Sequence, residues 1–171
     1  LMSNTLQALS DHWRNRYLLM RHGHSQANQQ GVIVSTPACG IDKFGLSEKG
    51  EQQLVQLVAD WQWPVPMRIV HSDFLRTTQT AAHVAARFGL AASVDTRLRE
   101  RHFGELEGQS DDCYPSVWAL DALDAEHQHH GVEAVSGVAC RMRAVIEEWE
   151  QTVSGETIVL VSHGDPLQIL L

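Results

Sequence analysis

Leu18-Leu19-Met20-Arg21-His22-Gly23-His24-Ser25-Gln26-Ala27-Asn28 is the stretch from which the rest of the chain can be read. It begins as a short apolar run and breaks into a polar cluster at a glycine. That pattern predicts a buried strand ending in a turn. In open α/β sheets, ligands sit just beyond the carboxyl ends of such strands. A cation, an imidazole and a flexible glycine therefore arrive together where a site is expected. Arg21 can fork onto an oxyanion. His22 can be a nucleophile, a base or a ligand. Gly23 lets the backbone approach a ligand closely.

Further segments sharpen this reading: Ser72-Asp73-Phe74-Leu75-Arg76-Thr77-Thr78-Gln79-Thr80-Ala81, Leu98-Arg99-Glu100-Arg101-His102-Phe103-Gly104-Glu105-Leu106-Glu107-Gly108, and Val161-Ser162-His163-Gly164-Asp165. In this order, and together with the first, they resemble the histidine phosphatase superfamily, also called phosphoglycerate mutase-like. The resemblance runs from about Tyr17 to the last residue. It implies an α/β three-layer sandwich with a mostly parallel central sheet, and residues 1–171 as a single domain. The chain stops inside a predicted helix at Leu171, where relatives continue, so the resemblance also implies a truncated C-terminus.

With 171 residues the chain has the length of one domain, and its 43% hydrophobic content suits one sizeable core. Its longest apolar runs, Tyr17 to Met20 and Ile158 to Val161, are far too short to span a bilayer. No charged segment followed by an apolar one opens the chain, so a cytoplasmic location is expected. The cysteines, Cys39, Cys113 and Cys140, are widely spaced and form no CxxC pair, which argues against a zinc site or a disulfide framework. A formal net charge of -8 argues against nucleic acid and anionic membranes as partners. An anion site on such a chain has to be a local positive pocket, and the paired Arg and His residues supply one.

Taken in order, residues 3–15 predict a short amphipathic helix, with Leu6, Leu9 and Trp13 at helical spacing and Ser3 or Asn4 as its cap. Tyr17 to Met20 is the first strand, and residues 29–40 read as a long loop flanking the site. Ser47 is the expected cap of a helix whose buried stripe is Leu54, Leu57, Val58 and Trp61. Met67 to Val70 predicts a strand. Leu75 to Phe88 predicts a helix with Arg76 in its first turn and Gly89 as its stop. Val94 belongs to a further short strand, and residues 99–113 to a loop. Pro115 to His127 predicts a helix burying Val117, Trp118 and Leu123, and Glu133 to Val153 the longest helix. Thr157 to Val161 is a continuous apolar strand, buried on both faces, and Pro166 opens a last helix. Strands alternating with helices give an α/β sandwich with a mostly parallel sheet.

Phosphoryl transfer needs charge neutralised around the equatorial oxygens, an in-line nucleophile and a protonated leaving group. The resemblance assigns the nucleophile to His22, which would form a phosphohistidine. It assigns the clamp to Arg21 and Arg76, with His163 and Asn28 as further walls, and the acid to Glu100. No metal and no cofactor is implied, because the cations come from the chain itself. His127, His129 and His130 lack a Cys or Asp partner pattern for a metal. The competing reading of Glu100 is a surface carboxylate paired with Arg99 or Arg101. His71 and Arg141 read as structural, and His24 and His102 as peripheral.

Cofactor-dependent phosphoglycerate mutases carry an insertion after the acid segment, with an adjacent arginine pair that grips the substrate carboxylate. Gln109 to Gly131 holds no arginine and is acidic, with Asp111, Asp112, Asp121, Asp124 and Glu126. The expected function is therefore hydrolysis of a small phosphorylated substrate. Mutase-type transfer is the second reading, and a non-catalytic binding member the third.

Overall fold

The computed structural model describes residues 6–9 and 12–171. Its strands are β1 (Leu6–Ala8), β2 (Arg16–Arg21), β3 (Arg68–His71), β4 (Ala92–Val94) and β5 (Thr157–Ser162). Its helices are α1 (Gln26–Gln30), α2 (Pro37–Gly40), α3 (Glu48–Ala59), α4 (Leu75–Phe88), α5 (Tyr114–Leu123), α6 (Val135–Thr152) and α7 (Gly164–Leu170). The strands form one sheet in the order β1-β2-β5-β3-β4. Only β1 runs antiparallel to its neighbour.

Strand alternation divides the core into two layers. Leu18, Met20, Ile69, Val159 and Val161 face α3 and α4, meeting Leu54, Ala81 and Val84. Leu19, Val70, Ile158 and Leu160 face the other way, meeting Val138, Met142, Val145 and Ile146 of α6 and Leu167 of α7. β5 is covered on both sides, which is why its sequence is apolar without alternation. A satellite cluster of Ile33, Phe103, Val117 and Val132 supports the loops beyond the sheet.

Register places the site. β2 pairs with β5 from Arg16↔Thr157 to Arg21↔Ser162, and β5 pairs with β3 through His71↔Val161. The residues that follow these strands, His22, Ser72 and His163, therefore emerge side by side at one edge. The first helix boundaries follow local chemistry. Ser47 caps α3 by accepting from the Gly50 N–H, and Gly89 closes α4 with φ 65°.

Three expectations are corrected. The helix expected over residues 3–15 is not formed at 6–8, which is strand β1, paired Leu6↔Met20 and Ala8↔Leu18. The open edge of β2 offers unpaired backbone groups, and that demand outweighs a helical spacing of three apolar residues. The proposed caps Ser3 and Asn4 lie outside the described residues. The flanking loop over 29–40 contains the one-turn helix α2, whose cap Thr36 accepts from Cys39 N–H. Leu123, expected to be buried, is 85% exposed, because α5 ends there and Asp124 turns to an extended conformation.

The two leucines make a paired test. Leu160→Ala removes a fully buried side chain from the central strand and is expected to cost about 2–5 kcal/mol. Leu123→Ala is expected to stay within about 0.5 kcal/mol of the parent. Urea denaturation of both variants measures this, and a comparable loss in each would refute the layer assignment.

Candidate active site

His22 leaves β2 with its backbone N–H on the Ser162 carbonyl, at 3.1 Å. Its ring is nearly buried, at 6% exposure. Nδ1 lies 2.7 Å from the Gly23 carbonyl oxygen, which can only accept, so Nδ1 carries the proton. Nε2 is then the bare nitrogen, and it accepts from Arg76 Nε at 3.2 Å. Burial, then the charges of Arg76 and Arg21, hold the imidazole well below its ordinary pKa, so it is neutral. Gly23 is packed closely here: a Cβ on it would come within 2.4 Å of Leu54 Cδ2 in α3 and force that side chain to move.

Arg76, in the first turn of α4, is 4% exposed. Its Nη2 donates to the Val34 carbonyl at 2.8 Å and lies 3.5 Å from Glu100 Oε2. Its Nη1 is buried and meets no hydrogen-bond partner among the described residues. Val34 is held in place through Glu107, whose carboxylate accepts from the backbone N–H and hydroxyl of both Ser35 and Thr36. Asn28 sits on the pocket rim, where its Oδ1 accepts from the Ser25 N–H.

Glu100 settles the competing sequence readings. Arg99 is paired with Asp73 at 2.7 Å, and Arg101 with Asp121 at 2.7 Å and Asp165 at 3.2 Å. Neither guanidinium reaches Glu100, so the surface ion-pair reading is overturned. Glu100 Oε1 accepts only the Arg101 backbone N–H, at 2.9 Å, while Oε2 faces Arg76 and His163. Burial pushes its carboxyl up to about 7, against the opposing pull of Arg76. Arg141 fixes this segment from behind by donating to the carbonyls of Arg97, Arg99 and Glu100 while pairing with Glu133.

His163 lies fully buried behind the pocket wall, its ring 5.3 Å from that of His22. In front of that wall lies a pocket that Arg21, His22, Asn28, Arg76 and Glu100 share with Val34, Phe103, Tyr114, Trp118 and Asp165. The sequence reading places the pocket walls in residues 29–45 and 109–131, which hold Val34, Tyr114 and Trp118, and quotes Phe103 and Asp165 in its motifs, but gives none of these five a site role of its own. Tyr114 and Trp118 stand one helical turn apart on α5 with stacked rings, a spacing visible in the sequence but indistinguishable from a core face. Asp165 is held by Trp118 Nε1 at 2.9 Å and by Arg101. His71 is buried on the Ser72 carbonyl, His24 contacts Ser47, and His102 is exposed. His127 contacts Asp121. Among the described residues no group of three or more His, Cys, Asp or Glu side chains converges as a metal cluster would.

A bare imidazole nitrogen beside two guanidinium groups and a protonatable carboxyl, at the ends of parallel strands, is an arrangement suited to phosphoryl transfer. The chain belongs to the histidine phosphatase superfamily (branch 1), whose family model matches residues 17–171. It is similar to the glucosyl-3-phosphoglycerate phosphatase of Mycobacterium tuberculosis, at 33% identity over 161 residues, 87% of this chain and 70% of that protein. It is also similar to a Photorhabdus laumondii protein named probable phosphoglycerate mutase GpmB, at 32% identity over 158 residues, 90% of this chain and 71% of that one. The structure of the mycobacterial glucosyl-3-phosphoglycerate phosphatase with inorganic phosphate superimposes with a TM-score of 0.70 at 31% identity, covering 89% of this chain and 74% of that chain.

The Glu100 carboxyl has a measurable thermodynamic signature. Its folded pKa of about 7 exceeds the ordinary 4.5, so between those values the folded chain holds a proton that the unfolded chain has released. Stability is then lost as pH rises through that window and is level above it. Glu100→Gln removes the effect. Its stability relative to the parent is expected to improve between pH 4.5 and 8 by up to about 3 kcal/mol, as read from denaturant melts. A difference that does not change with pH would contradict the buried, protonated carboxyl.

Proposed function

We propose that this chain is a metal-independent phosphomonoesterase that hydrolyses small phosphorylated metabolites in the cytoplasm through a phosphohistidine on His22. In this reading the matched residues work as one domain. The observation that carries the proposal is the orientation of His22: Nδ1–H is committed to the Gly23 carbonyl, so Nε2 is the nitrogen without a proton, and it accepts from Arg76. Arg21 and Arg76 hold the phosphoryl oxygens, assisted by the Asn28 amide and His163. Nε2 attacks phosphorus, the ester P–O bond breaks, and Glu100 gives its proton to the departing oxygen. Water then attacks the phosphohistidine, Glu100 takes the water proton, and inorganic phosphate leaves with His22 restored.

Release to water, rather than transfer to a second acid, is favoured by the outer wall. Its groups are Asp165, Tyr114 and Trp118, on or beside an α5 region without arginine. A dianionic phosphate occupies the charges of Arg21 and Arg76, which leaves no pocket cation for a carboxylate on the leaving group. Among the described residues, no helix is long and apolar enough to cross a membrane. The net charge of -8 supports a small-molecule partner over nucleic acid.

Rapid-quench mass spectrometry during turnover of an aryl phosphate, in EDTA, tests the nucleophile. Phosphate is expected on His22 in the parent and nowhere in His22→Ala, which is expected to be inactive. Phosphate on another residue, loss of activity in EDTA with recovery on adding a divalent ion, or efficient interconversion of 3- and 2-phosphoglycerate would each overturn the proposal.

Glu100 is tested by leaving-group basicity. An alkyl phosphate leaves as a basic alkoxide and needs a proton, whereas nitrophenolate hardly does. Glu100→Gln is expected to slow phosphorylation of His22 by alkyl phosphates about 10²–10⁴-fold, with a smaller loss for nitrophenyl phosphate. Single-turnover burst kinetics separate this step from dephosphorylation. Equal losses for both leaving groups would remove Glu100 from the proton transfer.

A further inference from the structure

The site contains two buried imidazoles, His22 in the pocket lining and His163 behind it, and of these His22 alone has its proton placed by a carbonyl. For His163 the proton is placed by a count of donors. Its Nε2 lies 2.9 Å from the Ser72 hydroxyl, and its Nδ1 has no hydrogen-bond partner among the described residues. Nδ1 faces Glu100 Oε2 at 3.9 Å. Ser72 is fully buried at the end of β3. Its backbone groups are all engaged: the N–H donates to the Val161 carbonyl, and the carbonyl accepts from His71 Nδ1 and Thr77 Oγ1. Its Oγ already accepts from the Phe74 N–H at 3.3 Å. The hydroxyl therefore has one proton to give, and His163 Nε2 is the acceptor it meets.

We propose that Ser72 is a positioning residue: its hydroxyl donates to His163 Nε2 and so fixes the imidazole's single N–H at Nδ1, facing Glu100 and the phosphoryl pocket. The opposite tautomer would leave the buried Ser72 hydroxyl proton without a partner, which is unfavourable. Full burial beside Arg76 and His22 keeps His163 uncharged, consistent with one proton on the ring. The edge of the Phe74–His163 contact, with ring centroids 5.1 Å apart, holds the ring plane. The two histidines thereby present opposite ends to the same reaction. His22 offers a lone pair to phosphorus, and His163 offers a proton to an oxygen, with no added charge to repel the arginines.

The proposal rests on the phosphatase reading for its kinetic consequence, but not for its direct test. In long-range ¹H–¹⁵N correlation spectra of the parent protein with ¹⁵N-labelled histidine, His163 is expected to show a protonated, pyrrole-type Nδ1 and a bare, pyridine-type Nε2. His163→Gln assigns the signals. Ser72→Ala is expected to shift both nitrogens toward the average of exchanging tautomers and to lower kcat about tenfold, the scale of one neutral hydrogen bond. Ser72→Cys, with a weaker donor, is expected to fall between. A protonated Nε2 in the parent would overturn the proposal whether or not the chain hydrolyses phosphate esters. Unchanged nitrogen shifts in a folded Ser72→Ala would do the same. The expected shifts without any turnover would instead count against the phosphatase reading and leave the tautomer assignment standing.

Discussion

The site depends on a guanidinium donating to an imidazole nitrogen inside a protein. Arg76 Nε and His22 Nε2 are 3.2 Å apart and both groups are buried. Such a contact is favourable only while the imidazole is uncharged, because a second proton would set two cations against each other in a medium of low dielectric. The arginine thus does two things with one side chain. It supplies positive charge to the pocket and keeps the neighbouring nitrogen free of protons at neutral pH.

Holding that contact requires support from several distant parts of the chain. Glu107 ties down Ser35 and Thr36, which sets the Val34 carbonyl that anchors Arg76 Nη2. Arg141, on the longest helix, gathers three carbonyls of the segment that carries Glu100. Glu107 and the Arg141–Glu133 pair are only partly buried, and such charges stabilise little in themselves. Their effect is positional: each fixes a loop whose backbone would otherwise have several conformations of similar energy. The strands supply the coarse placement by ending in register, and these ion pairs supply the fine placement.

The sheet and the helices around it were legible because their signals are local. β2 and β5 are apolar runs closed by polar turns, and α4 begins beside Arg76 and ends at Gly89, as its sequence indicates. The ordered strand-end motifs also brought His22, Arg76, Glu100 and His163 to one place. β1 was misread because an edge strand is specified by the strand it joins, not by its own three residues. The state of Glu100 was undecided in the sequence because it turns on where two adjacent arginines point. Their partners, Asp73, Asp121 and Asp165, lie far away along the chain. Asp165 and the Tyr114–Trp118 pair received no site role of their own for the same reason: a wall of a pocket is defined by what faces it.

Arg101, with no exposed surface, joins Asp121 on α5 to Asp165 at the start of α7, and Trp118 of α5 is tied to the same Asp165. Swinging α5 outward would strand a guanidinium in the interior, a loss of about 3–5 kcal/mol. The outer wall is therefore a fixed aperture rather than a door. On the proposed phosphatase reading, a substrate has to fit past Tyr114 and Trp118 as they stand, and little of its binding energy would be diverted into closing the site around it. Adaptation of such an enzyme to a new leaving group would proceed by recutting the face of α5, with the phosphoryl chemistry at the strand ends left untouched.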